Sequence, residues 1–184
     1  MQSKHKFNEQ DIIRRLKEPS TQRSAFSDVV HQYSEPLYWH IRRMVLSHDD
    51  TNDLLQNTFI KAWAGIDKFR GDSQISTWLY RIAINETLTF LNKRAQTISI
   101  DSPEASVVEQ LESDIYFNGD YAEIKFQEAL QSLPPKQRMV FNMKYYEEMK
   151  YEEISELLGT SVGALKASYH IATKKIEEIL KNKD

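Results

Sequence analysis

The 184-residue chain contains no cysteine. This absence excludes a disulfide scaffold, a thiol nucleophile and every metal site with cysteine ligands, and it fits a protein of the reducing cytoplasm. Glycine and proline are scarce, with five of each, so the composition is neither fibrous nor typical of disorder. Because apolar residues make up 40% of the chain, we expect a soluble protein with a buried core.

Long apolar runs are also absent. Nowhere do about 18 apolar residues follow one another, as a membrane span needs, and residues 1–10 lack the apolar core of a secretory signal. The chain has no glycine-rich phosphate loop, no HExxH motif and no serine-nucleophile motif. We therefore expect a cytoplasmic protein that is not an enzyme and that holds neither a cofactor nor a metal ion.

Charge is distributed unevenly along the chain. Residues 1–95 carry 14 basic and 11 acidic side chains. Residues 96–122 carry six acidic side chains and no basic one, and residues 123–184 carry ten basic and ten acidic side chains. An acidic stretch without a single cation is typical of a solvated linker. The distribution predicts two small domains, 1–95 and 123–184, joined by an acidic linker over 96–122.

The apolar pattern of the first domain is helical. Leu55, Phe59 and Ala62 illustrate the spacing of three and four, and no strand alternation competes with it. Pro36 and the polar stretches 47–50 and 68–73 interrupt the pattern, which predicts about four helices before residue 95. We expect a compact helical bundle.

The second domain is also predicted to be helical, so the expected fold class is all-α. Residues 124–133 form one amphipathic helix, and Pro135 suits the first turn of the next. A short helix over 151–158 follows. Gly159 can take a positive φ at its end, and Ser161 can cap another helix. This is the turn chemistry of a helix-turn-helix.

The second helix of this motif has one apolar face and one polar face. Its predicted core row is Leu165, Tyr169, Ala172, Ile176 and Ile179, and its outer face holds Gly163, Ala167, His170, Ile171 and Lys174, with Lys166 on the flank. Residues 160–175 contain three lysines and no acid, whereas glutamates crowd the preceding helix. The pattern predicts a duplex-binding helix; the alternative is an ordinary helical hairpin with solvated lysines.

In the first domain, a tryptophan lies on a polar stripe. Projected on a helix, Trp78 lines up with Arg81, Asn85 and Thr89, opposite the apolar side. An indole beside these groups suits stacking on unpaired bases, which contributes about 1 to 3 kcal/mol per base. The alternative is that Trp78 packs at the bundle edge. The turn 70–73 just before it could hold a flipped base.

Another helix of the first domain carries a polar face. Its acidic residues have no adjacent histidine, so the face is not typical of an acid–base catalytic site. We place this face outside the core row of Leu55, Phe59 and Ala62 and interpret it as a partner-docking surface, formed by Asp50, Asp53, Leu54, Gln56, Asn57 and Ile60.

Three long segments resemble one family. DTNDLLQNTFIKAW (50–63), FRGDSQISTWLYRIAIN (69–85) and the region from LPPKQRMVF to IATKKI (133–176) are similar, in this order, to regions 2 and 4 of the extracytoplasmic-function sigma factors of the sigma-70 family. The resemblance implies an alternative sigma factor that directs bacterial core RNA polymerase to promoters. It also implies that the acidic linker threads a basic polymerase channel near the RNA exit path.

The resemblance assigns a role to each surface. The docking face would bind the polymerase β′ subunit, and the body of the second domain would bind the β subunit. Melted −10 DNA would be held by Arg70, Gly71, Asp72, Ser73, Trp78, Arg81, Asn85 and Thr89. Duplex −35 DNA would be read by Ser161, Gly163, Ala164, Lys166, Ala167, Ser168, His170, Ile171 and Lys174.

The resemblance also implies an anti-sigma factor, often membrane-bound in this family, that masks these surfaces, and a monomer both when free and in the holoenzyme. The sequence departs from the family at Ser168, Ile171 and Thr173, positions where arginine is common. Because fewer phosphate contacts weaken binding, we expect weak DNA binding by the chain alone.

Two alternatives belong to other functional classes. One is a stand-alone helix-turn-helix regulator that binds a palindromic operator as a dimer. The other is a protein-binding adaptor whose arginine-poor helix does not read DNA.

Overall fold

The computed structural model describes residues 8–101, 111, 119 and 121–182. Its elements are α1 (Glu9–Lys17), α2 (Gln22–Val45), α3 (His48–Ala64), a 3-10 turn (Ile66–Lys68), α4 (Ile75–Asp101), α5 (Tyr121–Gln131), α6 (Pro135–Tyr145), α7 (Tyr151–Leu158) and α8 (Val162–Asn182). The residues described include no strand, and the prediction of an all-α fold is confirmed.

Helices α1 to α4 form the first unit, in which α2 packs against each of the other three. Local capping sets where two of these helices begin. The Asn8 side chain accepts the N–H of Asp11 at the start of α1, and the Ser47 hydroxyl accepts the N–H of Asp50 at the start of α3, both at 3.2 Å. Helix α1 was not predicted from the apolar pattern.

The predicted interruption at Pro36 is wrong, because α2 continues through it. Proline inside a helix removes one hydrogen bond, here to the carbonyl of Gln32. Pro36 and Gln32 are both exposed, so water can hydrate the carbonyl that has lost its donor. The number of helices before residue 95 nevertheless agrees with the prediction, since α1 adds the one that Pro36 does not create.

Helices α5 to α8 form the second unit, in which α8 packs against the other three. Pro135 occupies the first turn of α6, as predicted. The bounds of α7 coincide with the predicted helix 151–158.

The two units share part of their core. A large apolar cluster contains Leu37 and Ile41 of α2 together with Met143, Ile154 and Leu165 of the second unit. A smaller cluster lies within the second unit and consists of Ala129, Leu130, Leu133, Phe141, Ala172 and Ile176. The described helices therefore form one packed body.

The predicted linker over 96–122 lies mostly outside the described residues. At its start, α4 continues to Asp101, and at its end, α5 begins at Tyr121. Leu111 is described and is only 2% exposed. It lines a cleft between the two units with Trp39 and Tyr146. The segment predicted as a solvated tether thus contains an apolar residue that is buried between the units.

Two absences apply to the described part of the chain. None of its helices combines the length and the apolar character needed to cross a bilayer. It also contains no cluster of three or more side chains suited to binding a metal ion.

Candidate nucleic-acid and polymerase interfaces

The turn between α7 and α8 has the geometry that the sequence predicts. Gly159 follows α7 with a φ of 63°, a left-handed conformation that glycine adopts without a Cβ clash. The Ser161 hydroxyl accepts the backbone N–H of Ala164 at 3.3 Å and caps α8. Leu165 is buried in the shared cluster. These contacts form a helix-turn-helix with α8 as its second helix.

The outer face of α8 is open to solvent. Of the residues predicted to contact the −35 duplex, Ser168 is half-buried, and the exposed ones are Ser161, Gly163, Ala164, Lys166, Ala167, His170, Ile171 and Lys174. A Cβ atom added at Gly163 would meet nothing within 4 Å. Ile171 is 52% exposed. The face therefore combines small side chains, which allow close approach of a DNA backbone, with accessible cations.

The opposite face of α8 holds the helix in place. Ala172 and Ile176 are buried, as predicted. Tyr169 stacks on Phe141 of α6, with ring centroids 5.5 Å apart and planes inclined by 17°. The predicted core row is confirmed, and it fixes which residues of α8 face outward.

Charge separates the two helices of the motif. Glu152, Glu153 and Glu156 of α7 are exposed, and the Glu153 carboxylate accepts the N–H of Lys150 at 2.7 Å at the start of the helix. Lys166 of α8 lies over the ring of Tyr151, with its Nζ 5.7 Å from the centroid. A phosphate backbone would therefore meet cations on α8 and be repelled by α7.

The predicted single-strand stripe on α4 is only partly free. Arg81, Asn85 and Thr89 are exposed, whereas Trp78 is half-buried. The Trp78 ring stacks on Phe69, with centroids 4.7 Å apart and planes inclined by 26°. Trp78 thus occupies the bundle-edge position that was the alternative interpretation. Its remaining exposed surface is what could meet a base.

Arg81 is engaged by the second unit. Its Nη2 donates to the backbone carbonyl of Glu156 at 2.9 Å and lies 3.8 Å from the Glu156 carboxylate. The C-terminal half of α7 therefore contacts one of the residues predicted to bind melted DNA.

The predicted docking face on α3 needs one correction. Leu54 is 6% exposed and belongs to the apolar cluster, whereas Leu55 is partly buried. The prediction that Leu54 lies on the outer face is wrong, because α2 and α4 both pack against α3 and bury a wider face than the Leu55 row. The exposed residues of this face are Asp53, Gln56, Asn57 and Ile60.

The two ends of this face differ in chemistry. Asp50 is half-buried and lies 3.5 Å from the Arg94 guanidinium. At the other end, Ile60 is 57% exposed. Trp63, one turn further on, is also exposed and contacts Phe26 at 5.0 Å between ring centroids. Trp63 was missed as a candidate, although an apolar pair at i and i+3 on a polar face was the signal.

The sequence also did not predict a polar cluster between the units. His40 of α2 has a side chain with 0% exposure, and its Nδ1 lies 2.8 Å from Glu147 Oε1. Arg43 lies 3.9 Å from the same carboxylate and 4.8 Å above the Tyr146 ring. The Asn142 amide donates to the Arg43 carbonyl at 3.4 Å. These contacts join α2 to α6 and to the turn after it.

Two tyrosines at this junction have raised pKa values, chiefly because they are buried. Burial, and then the negative charge of Glu147, raises the pKa of Tyr80. Burial, followed by the charge of Glu123, raises the pKa of Tyr146 to about 12. Both phenols therefore stay neutral at physiological pH.

Two regions of the sigma-70 family match the chain. Sigma-70 region 2 matches residues 29–97, and Sigma-70, region 4 matches residues 123–176. Among curated proteins, the ECF RNA polymerase sigma factor SigW of Bacillus subtilis (strain 168) is 30% identical over 168 residues, which cover 86% of this chain and 90% of that protein. The ECF RNA polymerase sigma-E factor of Escherichia coli (strain K12) is 30% identical over 167 residues, 83% of this chain and 85% of that protein.

Solved structures agree in fold. CnrH, in complex with the cytosolic domain of CnrY, matches with a TM-score of 0.68 and 21% identity over 96% of this chain and 99% of that chain. The sigma factor RpoE from Bartonella quintana, in complex with the anti-sigma factor NepR, matches with a TM-score of 0.65 and 25% identity over 85% of this chain and 96% of that chain. The family matches and the curated relatives favour the sigma-factor hypothesis over a stand-alone regulator or an adaptor.

Proposed function

Because this chain belongs to the extracytoplasmic-function sigma factors of the sigma-70 family, we propose that its two helical domains divide the reading of a promoter between them. As an alternative sigma factor, it directs transcription initiation by RNA polymerase. The proposed domains are 1–95 and 123–184, with 96–122 as the acidic linker. The chain supplies specificity, and the polymerase supplies all of the chemistry.

The second domain reads the −35 element as duplex. Helix α8 enters the major groove, where Lys166 and His170 contact bases or phosphates and the small residues Gly163 and Ala167 allow close approach. The exposure of this face and its lack of acids support this role.

The first domain captures melted −10 DNA. Arg81, Asn85 and Thr89 offer polar contacts along α4, and Trp78 offers the exposed part of its ring for stacking. Since Arg81 donates to the Glu156 carbonyl in the packed body, α7 must leave α4 before the whole stripe can bind DNA. The two domains therefore separate when the chain engages polymerase and promoter.

Helix α3 docks on core polymerase. Ile60 provides an apolar contact, and Asp53, Gln56 and Asn57 provide polar ones around it; an interface with an apolar centre and a polar rim has this arrangement. The complexes of CnrH with CnrY and of RpoE with NepR support the further proposal that an anti-sigma factor holds this chain in its packed form.

The observation that carries the proposal is the pairing, in one chain, of an open helix-turn-helix face with an aromatic and polar stripe on another domain. In vitro transcription tests it: the purified chain is added to sigma-free core polymerase on a promoter library, and transcript starts are sequenced. We expect starts that share −35 and −10 motifs. Core binding without any initiation would contradict the proposal.

Two variants separate the two reading surfaces in the same assay. K166A/H170A changes the preferred −35 motif and leaves the −10 motif intact, whereas R81A does the reverse. E177A is the matched control, because Glu177 is an exposed residue of α8 outside the proposed recognition face.

A further inference from the structure

The loop between the 3-10 turn and α4, residues 70–73, is held by its backbone while its side chains are free. Arg70 and Asp72 are exposed and Ser73 is half-buried. Within the described residues, none of these three side chains has a hydrogen-bond or ion-pair partner. The backbone, in contrast, is fastened by helix α1, which is far away in the sequence.

The first of these contacts is a hydrogen bond between α1 and the start of α4. The backbone N–H of Ile75, the first residue of α4, donates to the Glu9 carboxylate at 2.6 Å. The first N–H groups of a helix lack partners within the helix, and a negative charge at this end is favourable. Glu9 thus acts as a cap for α4, although 66 residues separate it from Ile75.

The second fastening lies at the tip of the loop. Lys17 Nζ donates to the Arg70 carbonyl at 3.0 Å. Gly71, the next residue, has a φ of 81°, and a Cβ atom added there would lie 3.1 Å from Ile13 Cγ2. The loop backbone therefore lies directly against α1, with the left-handed conformation that glycine favours.

A third contact joins the start of α2 to the same region. The Gln22 amide donates to the Leu16 carbonyl at 3.0 Å and to the Asp67 carboxylate at 3.1 Å. Gln22 thereby links the end of α1 to the 3-10 turn that precedes the loop. Contacts from this side thus reach residues before, within and after the loop.

A loop whose backbone is fixed and whose side chains are unpaired is preorganised for a ligand, because little conformational freedom remains to be lost on binding. We propose that Glu9, Ile13 and Lys17 of α1 are positioning residues that hold loop 70–73 in the shape that captures a flipped −10 base. The inference rests on the proposed function of the first domain, and it adds a specificity role for a helix that lies before residue 29, where the region 2 family match begins.

Base selectivity tests the proposal. Holoenzyme reconstituted with E9A/K17A is compared with the unaltered holoenzyme on a promoter set that carries each of the four bases at every −10 position. We expect discrimination at the captured base to fall about tenfold, as the loss of hydrogen bonds to charged groups implies. Discrimination at the −35 element stays unchanged, because α1 packs against α2 of the first unit and carries none of the residues proposed to read that element.

Controls distinguish positioning from mere stability. E9Q keeps an oxygen that can accept the Ile75 N–H and leaves the Lys17 contact in place, so it retains most of the selectivity. R14A alters an exposed residue of α1 whose partner is Asp11 and leaves selectivity intact. If the double variant unfolds, the same base selectivity is measured with the single variant K17A, which changes an exposed residue.

Two results would overturn the inference: unaltered −10 base preference in E9A/K17A, or an equal loss of transcription from every promoter in the set. Failure of the proposed function looks different, because the unaltered protein would then start no transcripts at all.

Discussion

The two candidate DNA-binding surfaces differ in how much of each is already in use. On α8, the residues of the outer face are exposed and the helix is fixed from behind by Leu165 and Ala172. On α4, Trp78 stacks on Phe69 and Arg81 donates to the Glu156 carbonyl. The duplex-reading surface is therefore accessible in the packed body, whereas the single-strand surface is partly occupied by the protein itself.

This difference matches the two ligands. Duplex DNA presents its base edges without prior melting, so a helix that reads it can stay exposed. Unpaired bases exist only after the duplex opens, so a stacking surface has no ligand until then, and an exposed tryptophan would be an apolar liability. When the promoter is melted, uncovering the α4 stripe costs the protein contacts between the two units, among them the hydrogen bond from Arg81 to the Glu156 carbonyl.

The largest expected effect comes from the polar cluster that joins α2 to the turn after α6 and so holds the two units together. E147A removes the carboxylate that pairs with buried His40 and nearby Arg43. Leaving a buried polar group without its partner costs about 3 kcal/mol, so the ratio of packed to open molecules should fall roughly a hundredfold.

Energy transfer between two dyes measures this opening. The chain has no cysteine, so cysteines introduced at exposed Ser27 and Glu177 label only those sites. We expect lower transfer efficiency in E147A and tighter binding of single-stranded −10 DNA, with duplex −35 binding unchanged. E152A, at an exposed position of α7, is the control. An unchanged dye distance in E147A would show that this cluster does not hold the units together.

The next effect concerns Trp78. W78A removes one stacking surface, which is worth about 2 kcal/mol per base, or roughly thirtyfold in transcription from a duplex promoter. W78F restores part of the activity, because it keeps an aromatic face.

Phe69 provides the matched control for this tryptophan. F69L removes the ring on which Trp78 stacks but not the ring proposed to meet DNA, so it should lower the melting temperature more than promoter opening. If W78A and F69L lower the melting temperature equally and also lower promoter opening equally, Trp78 serves only the packing of the bundle edge.

Most of the helix-turn-helix could be predicted because its determinants are local. Gly159 permits the turn, Ser161 caps α8 two residues later, and the spacing from Leu165 to Ala172 sets the buried face. Each rule needs only a few neighbouring residues, and each of these features is present.

The first unit was harder to predict because tertiary contacts decide it. Leu54 was assigned to the wrong face, since the sequence does not reveal that two helices pack against α3. Pro36 was read as an interruption, but an exposed position inside α2 tolerates it. His40 and Glu147 are 107 residues apart, and no local pattern marks either one. The DNA and polymerase contacts of all these surfaces stay predictions.

A smaller effect is expected on the open surface. K166A removes one exposed cation of α8, so affinity for duplex DNA falls by about 1 kcal/mol on all sequences, and the dependence of log K on log salt weakens by roughly one unit. K175A is the matched control, because Lys175 is also an exposed cation of α8 but donates to the Ser132 carbonyl at 3.2 Å and lies outside the proposed recognition face. Equal salt dependence in both variants would remove Lys166 from the interface.

The smallest expected effect is a gain in affinity for duplex DNA. Ile171 is 52% exposed on the open face, at a position where arginine is common in the family, so I171R adds a phosphate contact at little cost to folding. Part of the new attraction is offset by the ordering of a long side chain, so we expect about a twofold to threefold increase in duplex affinity and a steeper salt dependence. Binding curves over a range of salt concentrations measure both. If I171R instead weakens binding, and only at sites that carry thymine, Ile171 itself packs on a thymine methyl group, and the open surface reads sequence by apolar contact and not by charge alone.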